Sequence, residues 1–176
     1  GKYEAGMDSG MTICRALSPD CTLLTPRADL RGCDLSGTIF NNADLISVNF
    51  IGANLTGATF HNSTLVSAFL INANLKNANL DGANLKYALL KDANLSGANL
   101  TDANLSYAQM ANIKLFHADL TRANLYVASL LDADLSYANL SGADLSFADL
   151  TGAKINGTFA NPPCIASQIC DSLSSK

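Results

Sequence analysis

The chain has 176 residues, of which 48% are hydrophobic and only 15% charged, with a formal net charge of −4. That length and apolar content suit one folded domain with a sizeable core and exclude a disordered chain, which needs low hydrophobicity and high net charge. No apolar run approaches the ~18 residues of a spanning helix, so membrane insertion is not expected; the acidic balance argues against nucleic-acid binding through phosphate neutralisation.

The first segment, residues 1–27, contains Cys14, Cys21, Pro19 and Pro26 and lacks the pattern that follows; Ser9 to Leu17 reads as a short helix. The chain begins at Gly1 rather than Met and shows no targeting segment, which suggests a mature chain whose signal peptide has been removed.

From Leu30 to Ile155 every fifth residue is large and apolar, without insertion or deletion. These 26 positions hold 21 Leu, Phe40, Phe50, Phe60, Met110 and Ile155. Two residues earlier runs a second series, Ala28 to Ala153, with 21 Ala and the exceptions Cys33, Thr38, Val48, Ser63 and Ile113. The unit reads A-(D/N)-L-x-x, and its last two positions are rich in turn residues. A period of five smears leucines around an α-helix and alternates them across a flat strand, so the chain must bend inside each unit. Each unit is then a short side plus a corner. Four right-angled corners make a coil of twenty residues, and the coils stack at about 4.8 Å. Phe40 and Phe60 recur at twenty and are expected to stack; Tyr87, Tyr107, Val127 and Phe147 share one outward column, as do Asn84, Asn104 and Asn124. The 26 units make about six and a half coils with an axis of roughly 31 Å. Ile113 enlarges a small position just after Met110, which predicts a local bulge.

After the repeat, residues 158–176 hold Pro162, Pro163, Cys164 and Cys170, and Pro163 to Ser172 reads as a second short helix. Both flanks are expected to cap the exposed solenoid ends.

The A-(D/N)-L-x-x units from Ala28 to about Gly157 resemble the pentapeptide-repeat family. The resemblance implies an all-β fold, a right-handed quadrilateral β-helix over residues 28–157, with the hand coming from the family and not from the spacing. The family includes members without known activity and others that mimic DNA and bind type II topoisomerases.

Cys33 occupies an Ala position and is expected to be a buried thiol. The other four cysteines lie two at each end, too far apart for cross-bridging on the stacked-coil estimate, so the expected pairs, if oxidised, are Cys14–Cys21 and Cys164–Cys170. Such pairs point to an oxidising compartment, a periplasm or a thylakoid lumen as in exported cyanobacterial and plant members of the family; reduced thiols in a cytoplasm are the alternative.

No enzyme is expected. His61 and His117 fall on non-equivalent outward positions, Glu4 is the only glutamate, and Asp alternates with Asn, which points to a backbone role. No cofactor or metal is implied. Imitating 31 Å of duplex takes roughly 18 negative charges, whereas the repeat offers 11 Asp against seven Lys plus Arg. A gyrase-directed DNA mimic is therefore the alternative reading and not the first. Six outward residues are apolar where polar ones are expected: Ile46, Ile51, Val66, Phe69, Ile71 and Leu89. They stack as Ile46–Val66, Ile51–Ile71 and Phe69–Leu89. This patch is the candidate interaction site for a protein partner or a second copy, on a rigid solenoid scaffold.

Overall fold

The structure, a computed structural model, describes residues 26–160. The expected cap helices and Cys14, Cys21, Cys164 and Cys170 lie outside the described residues.

Within the solenoid a five-residue unit with Asp or Asn between its Ala and Leu uses all of its backbone donors, and this accounting explains the repeat. The Ala amide donates to the preceding Leu carbonyl at 2.9–3.2 Å, as Cys33 does to Leu30, closing a four-residue turn. The Asp/Asn amide donates to the Ala carbonyl one coil earlier, as in Asn49 to Ala28 at 2.9 Å. The Leu amide donates to the Asp/Asn carbonyl one coil later, as in Leu30 to Asn49 at 2.8 Å. The second corner amide bonds the next coil too, as in Gly32 to Ile51 at 2.9 Å. The first corner amide has no backbone partner and donates to the side-chain Oδ1 of the Asp or Asn two residues before it, as Ile51 does to Asn49 and Thr101 to Asn99 at 3.2 and 3.0 Å. Asp and Asn present that oxygen equally well, which is why they interchange. A buried or half-buried backbone group without a partner is costly, so this oxygen is part of the fold.

The corners share one conformation. Every fifth residue from Arg27 to Gly157 has a positive φ, between 54° and 72°. With the turn hydrogen bond and a positive φ only at the third residue, each corner is a type II turn. Nine of these residues are glycine and eighteen are not. The left-handed region costs an ordinary residue roughly 1–2 kcal/mol, and Val127, at φ 56°, is β-branched.

Parallel bridges join residues twenty apart, from Asp29–Asn49 to Asn139–Phe159. Four units therefore make one coil. Its sides are side A (residues 28–30 and every twenty thereafter), side B (33–35), side C (38–40) and side D (43–45). Leu and Ala point inward: Leu45 through Leu145 are at most 1% exposed. Phe40 and Phe60 stack on side C with centroids 4.7 Å apart and planes at 4°, while Phe50 meets both edge-on from side A across the interior. Cys33 is buried, its thiol 3.8 Å from the Arg31 carbonyl. Ser63, another Ala replacement, donates its hydroxyl to the Phe60 carbonyl at 2.8 Å.

The bulge expected at Ile113 does not form. The bridges Asn94–Lys114 and Lys114–Asp134 keep register, and Met110 and Ile113 are both fully buried. The strain goes no further than a turn hydrogen bond of 3.2 Å, at the long end of the range. An unbranched Met in place of Leu leaves room for the larger neighbour, so side chains adjust and the ladder does not.

Candidate interaction face

The outward middle column of each side carries the turn-capping oxygens. On side B it reads Asp34, Asn54, Asn74, Asn94, Lys114, Asp134, Lys154. On side A it reads Asp29, Asn49, Phe69, Leu89, Gln109, Ser129, Asp149, with four successive coils lacking Asp or Asn. Phe69 and Leu89 bridge one another in parallel and offer no oxygen to the amides of Ile71 and Lys91. On side C the lost cap at Thr59 is replaced, because Asn41 Oδ1 accepts the His61 amide at 2.9 Å. A hydrogen bond of this kind contributes about 0.5–1.5 kcal/mol, so Phe69 and Leu89 forgo stability that Asn49 and Asp149 supply on the same side.

The flanking corners are apolar at the same level. Ile46 and Val66 lie on the D–A corner, and Ile51 and Ile71 on the A–B corner, each pair one coil apart, as the bonds from Ser47 to the Val66 carbonyl and from Gly52 to the Ile71 carbonyl show. Ile46 and Phe69 are 38% and 36% exposed, and Ile51, Val66, Ile71 and Leu89 are half-buried. The six residues predicted to form a patch are thus together across one side. In the coil of Leu89 the two corners carry Lys86 and Lys91 instead, which bound the patch with positive charge. The Lys86 ammonium sits 4.9 Å from the Tyr87 ring centroid and 5.6 Å from that of Tyr107.

Sequence reasoning treated the Tyr87 column as separate, yet it lies on the same D–A corner as Ile46 and Val66. Tyr87 and Tyr107 pack at 5.2 Å, Tyr126 meets Tyr107 and Phe147 edge-on at 5.6 Å, and Phe147 is 81% exposed. Tyr87, Tyr107, Val127 and Phe147 all hold the positive φ of the corner, a backbone position that favours Gly or Asn. Tyr126, on the D–A corner, and the exposed Leu131, on the A–B corner, were missed altogether. Sorting outward residues by twenty would have shown that all of these border side A.

Charge on the remaining surface is dispersed. No column places two carboxylates in successive coils among the described residues. Arg31 chelates Asp29 at 2.9 and 2.8 Å and Arg122 chelates Asp102 at 2.7 and 2.5 Å, and each pair holds its carboxyl below the usual range. Asp34, Asp134 and Asp149 are lowered as well, chiefly through hydrogen bonds from the side chains of Ser36, Ser136 and Thr151. These carboxylates are engaged in turns and ion pairs. His61 Nδ1 lies 2.9 Å from Asp81 on the C–D corner, while His117 stacks on Tyr137 at 5.1 Å on the B–C corner, so the two histidines do not meet. A shallow notch of about 400 Å³ lies over Ser96 and Gly97 between Lys76 and Phe116. Among the described residues no three His, Cys, Asp or Glu side chains are grouped to hold a metal ion, and no helix is long and apolar enough to cross a membrane.

No curated protein sequence matches the chain. Among solved structures it is similar to HetL, a pentapeptide repeat protein involved in heterocyst differentiation regulation from the cyanobacterium Nostoc sp. strain PCC 7120. That likeness is 34% identical over 76% of this chain and 74% of HetL, with a TM-score of 0.57. It is 33% identical to AT2G44920, a pentapeptide repeat protein of the Arabidopsis thaliana thylakoid lumen, over 57% of this chain and 67% of that one, with a TM-score of 0.43. Rfr23 from the cyanobacterium Cyanothece 51142 is 25% identical over 75% of this chain and 90% of its own, with a TM-score of 0.44. The likeness to HetL and the pentapeptide-repeat profile imply the right-handed quadrilateral β-helix. The profile for pentapeptide repeats matches in eight copies across residues 27–62, 53–92, 78–116, 93–130 and 128–160. With twenty-residue coils, Leu and Ala inside and Asp or Asn capping each turn, the chain belongs to the pentapeptide-repeat family.

Proposed function

We propose that this solenoid is a non-enzymatic, rigid scaffold that docks a protein partner on side A. One observation carries the reading. Phe69 and Leu89 occupy the column whose job is to cap turns and give up those caps, and Phe69 sits between the apolar corners of Val66 and Ile71. A residue that weakens its own turn and is still solvent-accessible is better explained by a contact outside the chain. Hydrogen bonds between coils already hold the surface in place, so docking needs little ordering of the scaffold. The likeness to HetL, a protein described as involved in regulation, supports a role exerted by binding. As part of the same proposal the chain works in an oxidising compartment such as a periplasm or thylakoid lumen, a reading supported by the cysteine pairs at its two ends.

The test is affinity capture from the native compartment with three baits: wild type, Phe69→Asn, and Thr101→Lys on the C–D corner. Phe69→Asn restores the residue type the repeat normally uses, so its loss of a partner reports on docking and not on folding. The reading expects a partner held by wild type and Thr101→Lys and lost from Phe69→Asn. Identical captures with all three baits would overturn it.

A further inference from the structure

Given side A as a docking surface, the chemistry of that surface narrows its occupant, and this step rests on the reading above. We propose that the occupant is an acidic amphipathic α-helix of the partner, with its apolar stripe on Phe69 and Leu89 and its carboxylates against Lys86 and Lys91.

The backbone argues for a helix. The amides along side A are already bonded: Ala68 closes its turn on Leu65 at 3.0 Å, while Phe69 donates to Val48 at 2.9 Å and Leu70 to Leu89 at 2.8 Å. An added strand needs a free edge to pair with, and a sheet face has none. The partner must arrive with its own backbone satisfied, as a helix does. Spacing agrees. Anchors on side A recur at the coil rise of about 4.8 Å, whereas same-face residues of a strand recur at about 6.7 Å; neighbours on a helix face lie about 5–6 Å apart. A helix about 10–12 Å across also matches a side built from three extended residues, about 10 Å.

The charges argue for an acidic one. The chain as a whole is at −4, yet the coil that closes the patch presents Lys86 on one corner and Lys91 on the other. Among the described residues the ion pairs are Arg31–Asp29, His61–Asp81 and Arg122–Asp102, and neither lysine takes part. Lys86 is held against the Tyr87 and Tyr107 rings, which fixes its place without neutralising it. Two cations bracketing an apolar strip select carboxylates on both flanks of the incoming helix.

The chain contains no Trp, so Trp-bearing peptides report binding by their own fluorescence. Two synthetic helices of about five turns share one Leu/Trp stripe and differ only in flanks of Glu or of Lys. The proposal expects the Glu peptide to bind wild type at least about tenfold tighter than the Lys peptide at low salt. Molar salt removes the difference. Lys86→Glu combined with Lys91→Glu reverses the preference, and Phe69→Asn combined with Leu89→Asn loses both peptides, with thermal melts confirming that each variant is folded. Equal affinity for the two peptides, a preference that survives charge reversal, or no binding of either overturns the acidic-helix proposal. So does a wild-type dimer in sedimentation that dissociates in Phe69→Asn, which would seat a second copy there. If affinity capture still finds a Phe69-dependent partner in those cases, the docking reading stands and only the helix falls.

Discussion

The rings of Phe40 and Phe60 lie parallel, with centroids 4.7 Å apart and planes at 4°, a separation that equals the rise between coils of about 4.8 Å. Residues twenty apart are therefore held in van der Waals register, inside the solenoid as well as outside. This makes the interior a continuous dry column, and the consequences of breaking it are sharp.

Leu95 is fully buried in mid-solenoid. Leu95→Asp places an unpaired carboxylate there and is expected to unfold the coil or to drive that carboxyl's pKa strongly upward. Ser96→Asp, one residue on and facing out, should change stability by no more than about 0.5 kcal/mol. Thermal melts of the two variants decide it, and equal shifts would refute the assignment of inward and outward positions.

Side A makes the opposite prediction. Phe69→Asn supplies the Oδ1 that the Ile71 amide lacks, as Asn49 does for Ile51 at 3.2 Å. Its melting point is expected to hold or rise, by up to about 1 kcal/mol of added stability. Were Phe69 there to strengthen the coil by packing under Leu89, the same change would lower the melting point. A clear drop, with association untouched, would remove the physical basis for an interaction site.

The carboxyls of Asp29, Asp34, Asp102, Asp134 and Asp149 are all held below the ordinary aspartate value of 3.8 by the hydrogen bonds they accept. A folded-state pKa depressed below the unfolded one stabilises the fold above the unfolded value. That stabilisation is lost as pH falls through the folded value. Melting temperature should thus be flat near neutrality and fall once the pH drops below 3.8. In Asp102→Asn the fall should be smaller, because the Arg122 pair no longer titrates. An Asp102→Asn melt that tracks wild type throughout the acid range would show that this pair contributes nothing.

Peptide mapping without reductant is expected to recover Cys14 linked to Cys21 and Cys164 linked to Cys170. Cys33, buried at 4% exposure, should react with alkylating agents only after denaturation. A bridge between the two ends, or one that includes Cys33, would contradict the separation that the stacked coils impose.

A duplex mimic presents a dense acid surface, and among the described residues carboxylates never succeed one another along a column. DNA gyrase supercoiling is accordingly expected to proceed unimpeded at micromolar protein. Inhibition that weakens steeply with salt and disappears on reversing Asp134 and Asp144 would establish the mimic instead.

The five-residue period, read without any coordinates, already sorts Leu and Ala inward and places residues twenty apart one above another. The reason is local: a covalent spacing that fits neither helix nor flat strand leaves only a bend in every unit. The patch from Ile46 to Leu89 was legible on the same ground. The tertiary structure alone decided how that patch ends and what its residues cost. Lys86, Lys91 and the Tyr87–Phe147 edge join side A only when four type II corners close the coil, because lateral neighbours are set by closure and not by chain distance. Likewise, the swap of Asp for Asn hinted at a backbone task, but which amide accepts the service depended on the fold. The one corner amide left without a coil partner sits two residues beyond each Oδ1, and only there does replacing Asn by Phe carry an energetic meaning. At Ile113 the outcome ran against the local rule, since the ladders above and below hold the backbone in register more firmly than one oversized side chain can displace it.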